Sequence, residues 1–321
     1  MLQSVFEHLE KIYPELVDIR RDLHMNPELS FHEKRTPELI AAYLKNLGLE
    51  VKTKVGGFGV VGYLKGGKPG KTIALRADFD ALPINDEKDV PYKSKIPGVM
   101  HACGHDIHTA ALLGVAKVLA PIKDELKGNV VFLHQHAEEV SPGGAISMIE
   151  DGCLDGVDEV YGAHVEVNFP IGQVAVNDGY VHAASDAFEI TINGKGGHAA
   201  EPHRSIDPVV IGSHLVINLQ NIVSRRVDPL YSALVTVGAF QSGDANNVIP
   251  DKAHLKGTIR TYDKDVRLQV EKELKHIAQK TAEEHGATVD IDFTRGYISL
   301  YNHPKETEYI KQISADIVGE D

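Results

Sequence analysis

The stretch Val130-Val-Phe-Leu-His-Gln-His-Ala-Glu-Glu139 decides the fold. Its first four residues are a short apolar run rich in β-branched and aromatic side chains, and they read as a buried strand, Val130–Leu133. Histidines and two adjacent carboxylates follow at the strand's C-terminal end, where open α/β sheets place their ligands. Neighbouring residues point in different directions, so one of Glu138 and Glu139 can bind a metal ion while the other faces a water. A solvated acidic turn is the alternative that this pattern alone leaves open.

Upstream, Val5, Leu9, Ile12, Leu16, Ile19 and Leu23 recur at helical spacing over residues 3–25, and Thr36 to Leu47 reads as a second helix. Short β-rich runs follow at Val51–Val55, Val60–Leu64 and Thr72–Arg76, separated by Gly-rich turns such as Lys65-Gly-Gly-Lys-Pro-Gly70. A helix from Ile107 to Leu119 leads into Val130–Leu133, and Val160–His164 reads as a further strand. Strands alternating with helices predict an α/β layer with a largely parallel sheet.

Near residue 180 the pattern changes. Strand (Phe188–Ile192), helix (Pro208–Val223), two strands (Ala233–Phe240 and Ala253–Thr261), helix (Asp263–Glu284) and strand (Thr288–Phe293) make an α+β order of ferredoxin-like type. The crossovers are expected at Gly172–Gly179 and Phe293–Ile298, and Lys305 to Val318 reads as a helix returning to the first domain. The expected division is therefore 1–178 for the first part of a larger domain, 179–293 for an inserted domain, and 294–321 for the return.

Composition narrows the function classes. Forty-six acidic against 33 basic residues give a net charge of −13, which argues against nucleic acid, because phosphate binding needs clustered Lys and Arg. No window approaches the roughly 18 consecutive apolar residues of a membrane span. The first 16 residues alternate apolar and charged side chains, so no signal peptide is expected. Cys103 and Cys153 are too few for a disulfide framework, and a reducing compartment, the cytoplasm, is the expectation. Seventeen histidines invite a search for metal ligands.

The strongest local signal is His101-Ala-Cys-Gly-His-Asp-Ile-His108. A thiolate and an imidazole two residues apart, on a Gly-containing loop that opens a helix, can face one divalent ion. A buried Cys beside surface histidines is the alternative, and three His, one Cys and one Asp within eight residues weigh against it. A third candidate, His164 of Tyr161-Gly-Ala-His164, sits again at a strand end, where a lone His is as often a satisfied core residue as a ligand. Gly56-Gly-Phe-Gly59 lacks the GxGxxG order of a dinucleotide site and lies between two strands.

Together with Arg20-Arg-Asp-Leu-His-Met-Asn-Pro-Glu28, Leu75-Arg-Ala-Asp-Phe-Asp-Ala-Leu-Pro83, Gly194-Lys-Gly-Gly-His-Ala-Ala200 and Asn247-Val-Ile-Pro250, these motifs resemble the aminoacylase and carboxypeptidase superfamily of dinuclear metallohydrolases. The closest likeness is to its amidohydrolase branch, with hippurate hydrolases, auxin-conjugate hydrolases and N-acetyldiaminopimelate deacetylases. The resemblance implies a zinc-peptidase-like catalytic domain with a central mixed sheet, carrying an inserted lid and dimerisation domain. It implies hydrolysis of the amide bond of N-acyl amino acids, with peptide cleavage as the alternative, and two divalent ions per subunit (Zn, Mn, Co or Ni).

Position by position, the resemblance makes Cys103, His105, Glu139 and His164 metal ligands and Glu138 the general base. It makes His198 the oxyanion-stabilising histidine, often delivered across a homodimer interface, and Asn247 and Arg260 the residues that hold the substrate carboxylate. Asp80 is expected to orient a ligand loop, Asp78 to support the site, and Cys153 to be an ordinary buried residue. Two departures stand out. His136 occupies a position where relatives commonly carry Pro. The family's further C-terminal His ligand has no counterpart before Asp321, so the sequence is expected to be truncated, and a catalytically impaired remnant of the family becomes a third reading.

Overall fold

A computed structural model describes residues 2–319, which divide into two compact units, Met1–Phe169 and Pro170–Asp321. The first unit begins with α1 (Leu2–Met25) and α2 (Arg35–Asn46). Strands β1 (Glu50–Val55), β2 (Gly59–Lys65) and β3 (Lys68–Asp78) follow, then α3 (His105–Leu119), β4 (Lys127–Gln135), α4 (Gly144–Glu150) and β5 (Glu159–Gly162). The apolar stripe of α1 buries Ile12 and Leu23, and the helix packs on α3. Their close approach depends on Gly114, where a Cβ would stand 2.7 Å from Leu16 Cδ1.

The five strands form one sheet in the order β1-β2-β4-β3-β5. Only β4–β3 and β3–β5 are parallel, while β1–β2 and β2–β4 are antiparallel. The sheet is thus mixed, and the expectation of a largely parallel sheet is corrected: no helix separates β1 from β2, so the chain turns back at Gly56 and Gly57, both at positive φ. Ile40, Leu44, Leu113, Phe79 and Phe132 form the core between this sheet and its helices.

Parallel pairing puts Ala77 opposite His134 and Asp78 opposite Gln135, so β3 and β4 end side by side. A second, smaller core gathers Val61, Val131, Leu133, Met148 and Cys153, and Cys153 is buried there.

The second unit comprises β6 (Gly179–His182), β7 (Ala184–Asn193), β8 (Gly197–His198), α5 (Pro208–Asn221), β9 (Ala233–Gln241) and β10 (Val248–Ile249). It continues through β11 (Lys252–Thr261), α6 (Lys264–Glu284), β12 (Thr288–Arg295), β13 (Leu300–Asn302) and α7 (Pro304–Val318). Strands β12-β7-β11-β9 form an antiparallel sheet in that order. With α5 after β7 and α6 after β11, the topology is βαββαβ, the ferredoxin-like order.

Asp207 and Asp263 cap α5 and α6 by accepting from backbone N–H groups of their first turns. β7 alternates strictly, burying Phe188, Ile190 and Ile192 against Leu215, Leu219, Val270 and Leu274. Gly257 leaves room for the Phe188 ring, which a Cβ would meet at 2.1 Å. β6 and β13, which enter and leave this sheet, pair with each other. Among the described residues no helix is long and apolar enough to cross a membrane.

Leu274 is fully buried in this core, whereas Leu268, on the same helix, is 45% exposed. Leu274→Ala should lower stability by about 2–5 kcal/mol in urea unfolding, and Leu268→Ala by no more than about 0.5 kcal/mol. Equal losses would contradict the packing described for α6.

Candidate metal centre and active site

The ends of β3, β4 and β5 and the start of α3 converge because parallel strands deliver their C-terminal ends to one edge. Cys103 and His105 come from the loop and first residue of α3, Glu138 and Glu139 from the segment after β4, and His164 from two residues beyond β5. Gly104 makes the approach possible. It adopts φ +88, and a Cβ there would lie 2.3 Å from Val165 Cγ2. Cys103 Sγ consequently lies 3.4 Å from His164 Nε2.

Three overlapping groups of possible donors result, all sharing His105: Cys103 with His105 and His164, Asp78 with His105 and His108, and His105 with Glu138 and Glu139. Within each, one donor atom per residue lies within 4.8 Å of the others. His105 Nε2 and Glu139 Oε1 are 3.7 Å apart, both buried, and neither makes a hydrogen bond among the described residues. Buried polar atoms left in this way are costly unless an ion occupies the space between them. His164 Nδ1 donates to the Val165 carbonyl at 2.6 Å, which leaves Nε2 with its lone pair on the Cys103 side. Sulfur, imidazole and carboxylate together fit divalent Zn, Mn, Co or Ni.

Behind these donors lies a set of buried carboxylates. Asp80 Oδ1 sits 3.2 Å from His105 Nδ1, and Asp80 Oδ2 accepts from Ser30 Oγ at 2.7 Å and from the Glu139 N–H at 2.9 Å. Asp80 thus ties the His105 ring to the backbone of Glu139. Burial would raise its carboxyl, but the hydrogen bonds from His105, Glu139 and Ser30 hold it below the usual range.

Asp78 Oδ1 lies 2.7 Å from His108 Nδ1, and Arg76 contacts Oδ2 at 2.5 Å. His108 Nε2 accepts from the Val165 N–H at 3.0 Å, so this chain of contacts fixes the backbone next to His164. Burial acts to raise the Asp78 carboxyl, yet His108, Arg76 and His105 hold it well below the usual carboxylate range.

Three groups of the cluster are shifted from their ordinary values. Burial pushes the Cys103 thiol up to about 12, with Glu139, Glu138 and Asp78 adding to the rise. Burial also raises the Glu138 carboxyl against the pull of Arg76, with Asp78 and Glu139 reinforcing it. His105 is raised despite burial, because Asp80, Asp78 and Glu139 favour its charged form.

The other named residues lie in the second unit. There β8 pairs with β10, setting Val248 opposite His198, and the Ala199 N–H donates to the Asn247 carbonyl at 3.1 Å. His198 and Asn247 are therefore neighbours. Arg260 sits on β11, where its guanidinium donates to the hydroxyl of Thr258 and to the Ile259 carbonyl. It forms no ion pair with a carboxylate among the described residues, so its charge is not consumed internally.

His136 is buried and packs edge-on against Phe31 and Phe58, filling space behind the Glu138–Glu139 segment. Sequence reasoning assigned no role to Ser30, Glu33 or His108. Only His108 left a signal: it lies one helical turn from His105, on the same face.

The sequence matches Peptidase family M20/M25/M40 over residues 74–321. YhaA of Bacillus subtilis (strain 168) is 49% identical over 317 residues, covering 99% of this chain and 80% of that protein. An N-acyl-L-amino acid amidohydrolase of Geobacillus stearothermophilus is 42% identical over 295 residues, covering 92% of this chain and 80% of the relative. The crystal structure of Bacillus subtilis YXEP, described as a dinuclear metal binding peptidase of the M20 family, superposes with a TM-score of 0.81. It is 35% identical and covers 96% of this chain and 81% of that one. The family match takes in both units and all of the clustered donors, and the chain belongs to Peptidase family M20/M25/M40, a family of hydrolases that act on amide bonds.

Proposed function

We propose that this chain hydrolyses the amide bond of N-acyl amino acids, N-acetyl amino acids among them, to a carboxylate and a free amino acid. The observation that carries the reading is the convergence of Cys103, His105, Glu139 and His164 with Glu138 at one end of the sheet. The first four would hold two divalent ions. When bound, the ions would polarise the scissile carbonyl and make a water nucleophilic near neutral pH.

Glu138 then accepts the proton of the attacking water and returns it to the leaving nitrogen. Its raised carboxyl pKa suits it to both halves of that transfer. Asp80 holds the His105 ring and the Glu139 backbone in place, so Glu138 is presented from an anchored segment.

The proposal includes His198 as the group that stabilises the oxyanion, and Asn247 and Arg260 as the groups that receive the substrate's free carboxylate. A guanidinium without an internal carboxylate partner supports that role for Arg260. It also includes a homodimer formed through residues 179–293, inserted between a catalytic part at 1–178 and its return at 294–321. The pairing of β6 with β13 supports the insertion, because the segments that enter and leave the four-stranded sheet lie side by side. Two cysteines without a disulfide support a cytoplasmic location.

Cleavage of di- or oligopeptides is a second reading, favoured by the likeness to a structure described as a peptidase. Hydrolysis rates on acetyl-, benzoyl- and peptidyl-amino acids, measured with Zn²⁺, Mn²⁺ or Co²⁺ added, separate the two. No turnover of any of them would sink both.

Glu138→Gln should lower kcat by about 10²- to 10⁴-fold while leaving metal content unchanged. A kcat within a few-fold of wild type would remove Glu138 from proton transfer. Metal binding itself should be pH-dependent. A Cys103 thiol pushed up to about 12 is protonated at neutral pH and must lose its proton to act as a ligand. Calorimetric Zn²⁺ titrations at pH 7, in buffers of different ionisation heat, should show about one proton released by wild type in excess of Cys103→Ser. Equal release from the two would take Cys103 out of the ligand set.

A further inference from the structure

The loop between α1 and α2 touches both strand ends that carry the site. Glu28 accepts from the N–H groups of Lys34, Arg35 and Thr36 at 2.8–2.9 Å, closing the loop on the start of α2. Its carbonyl accepts from the Ala81 N–H at 2.8 Å, and Ser30 reaches Asp80, so one side of the loop is fastened beyond β3. The other side is fastened beyond β4 by Glu33. This residue is fully buried, and its Oε1 accepts from the Ala137 N–H at 2.8 Å across 104 residues of sequence.

Ala137 is an unusual place for such a bond. It is fully buried, immediately precedes Glu138, and adopts φ +48, the left-handed region that an L-residue enters only when its surroundings impose it. Its carbonyl is held by the Gly144 N–H at 3.1 Å, which leaves Glu33 to satisfy the N–H. Without Glu33 a buried donor would be orphaned at the residue whose backbone sets the direction of the two carboxylates that follow.

We propose that Glu33 is a positioning residue: its carboxyl holds Ala137 in the left-handed conformation and thereby aims Glu138 and Glu139 at the metal centre. The role belongs to Oε1 as a hydrogen-bond acceptor, and a side-chain amide supplies the same acceptor. The inference rests on the metal-centre reading given under the proposed function, and it extends the working site to a side chain that touches neither metal nor substrate.

The test compares Glu33→Gln, Glu33→Asp and Glu33→Leu in the full chain, reading Co²⁺ affinity by calorimetry together with kcat and KM on an N-acetyl amino acid. Glu33→Leu should weaken binding of one of the two Co²⁺ ions by about 10- to 100-fold and lower kcat more than it changes KM. Glu33→Gln should stay within about three-fold of wild type in both readouts, and Glu33→Asp, whose acceptor is withdrawn by one methylene, should fall between. The double variant Glu33→Leu with Ala137→Gly should regain part of the lost affinity, because glycine adopts positive φ without the bond that imposes it.

Wild-type Co²⁺ affinity in Glu33→Leu would overturn the proposal, as would a Glu33→Gln variant as impaired as Glu33→Leu. Should Glu33→Leu not fold, Glu33→Gln against Glu33→Asp decides on the same terms. A wild-type chain that binds two Co²⁺ ions but hydrolyses no N-acyl amino acid would defeat the substrate reading, and the Co²⁺ affinities would still decide on Glu33.

Discussion

Parallel pairing between β3 and β4 aligns Asp78 with Gln135, and the carboxylates Asp78, Asp80, Glu138 and Glu139 lie within a few residues of that register. A slip of one residue would turn Leu75, Ala77, Val131 and Leu133 to the opposite face of the sheet, separating the two core clusters from the helices that cover them. The apolar pattern therefore fixes where the strands stop, and the stopping point fixes the site. Asp78 and Asp80 leave β3, and Glu138 and Glu139 leave the segment after β4, at one edge. The N-terminus of α3 and the loop after β5 meet them there.

Concentrating so much charge in a buried place has a cost that the fold meets with paired groups. Asp78 is matched by Arg76 and His108, and Asp80 by His105, Ser30 and the Glu139 N–H. Nearby, Asp106 is matched by Arg20 and His24. Of the buried side-chain atoms that lack a hydrogen-bond partner among the described residues, two lie opposite one another in the donor cluster. His105 Nε2 and Glu139 Oε1 face one another across a space that a cation would fill, and the rest of the network is arranged so that they stay there.

Much of this was legible in the residue order. The α1 stripe, the Asp263 cap before α6 and the alternation in β7 each produce their element by local rules, and the βαββαβ order follows from their sequence. The ligand types of the Cys103–His105 loop and the Glu138–Glu139 pair also announce themselves, since strand ends enriched in such residues are rarely inert. The antiparallel β1–β2 turn was less legible, because alternation of strands and helices says nothing about pairing direction. Helix α4 is too short, at 7 residues, for periodicity to identify it.

Glu33 was the least legible. In Phe31-His-Glu-Lys-Arg-Thr36 it looks like one charge in a solvated run, and only the tertiary contact to Ala137 shows it to be buried. Ser30 shares that fate, since it acts through Asp80, 50 residues away.

The account stands or falls on where ions bind. Anomalous diffraction from crystals grown with Zn²⁺, collected on both sides of the zinc absorption edge, would locate them directly. The account predicts two peaks in contact with Cys103, His105, Glu139 and His164, with Glu138 facing them but not ligating. No peak in that cluster, or strong peaks confined to other carboxylates or histidines, would contradict it.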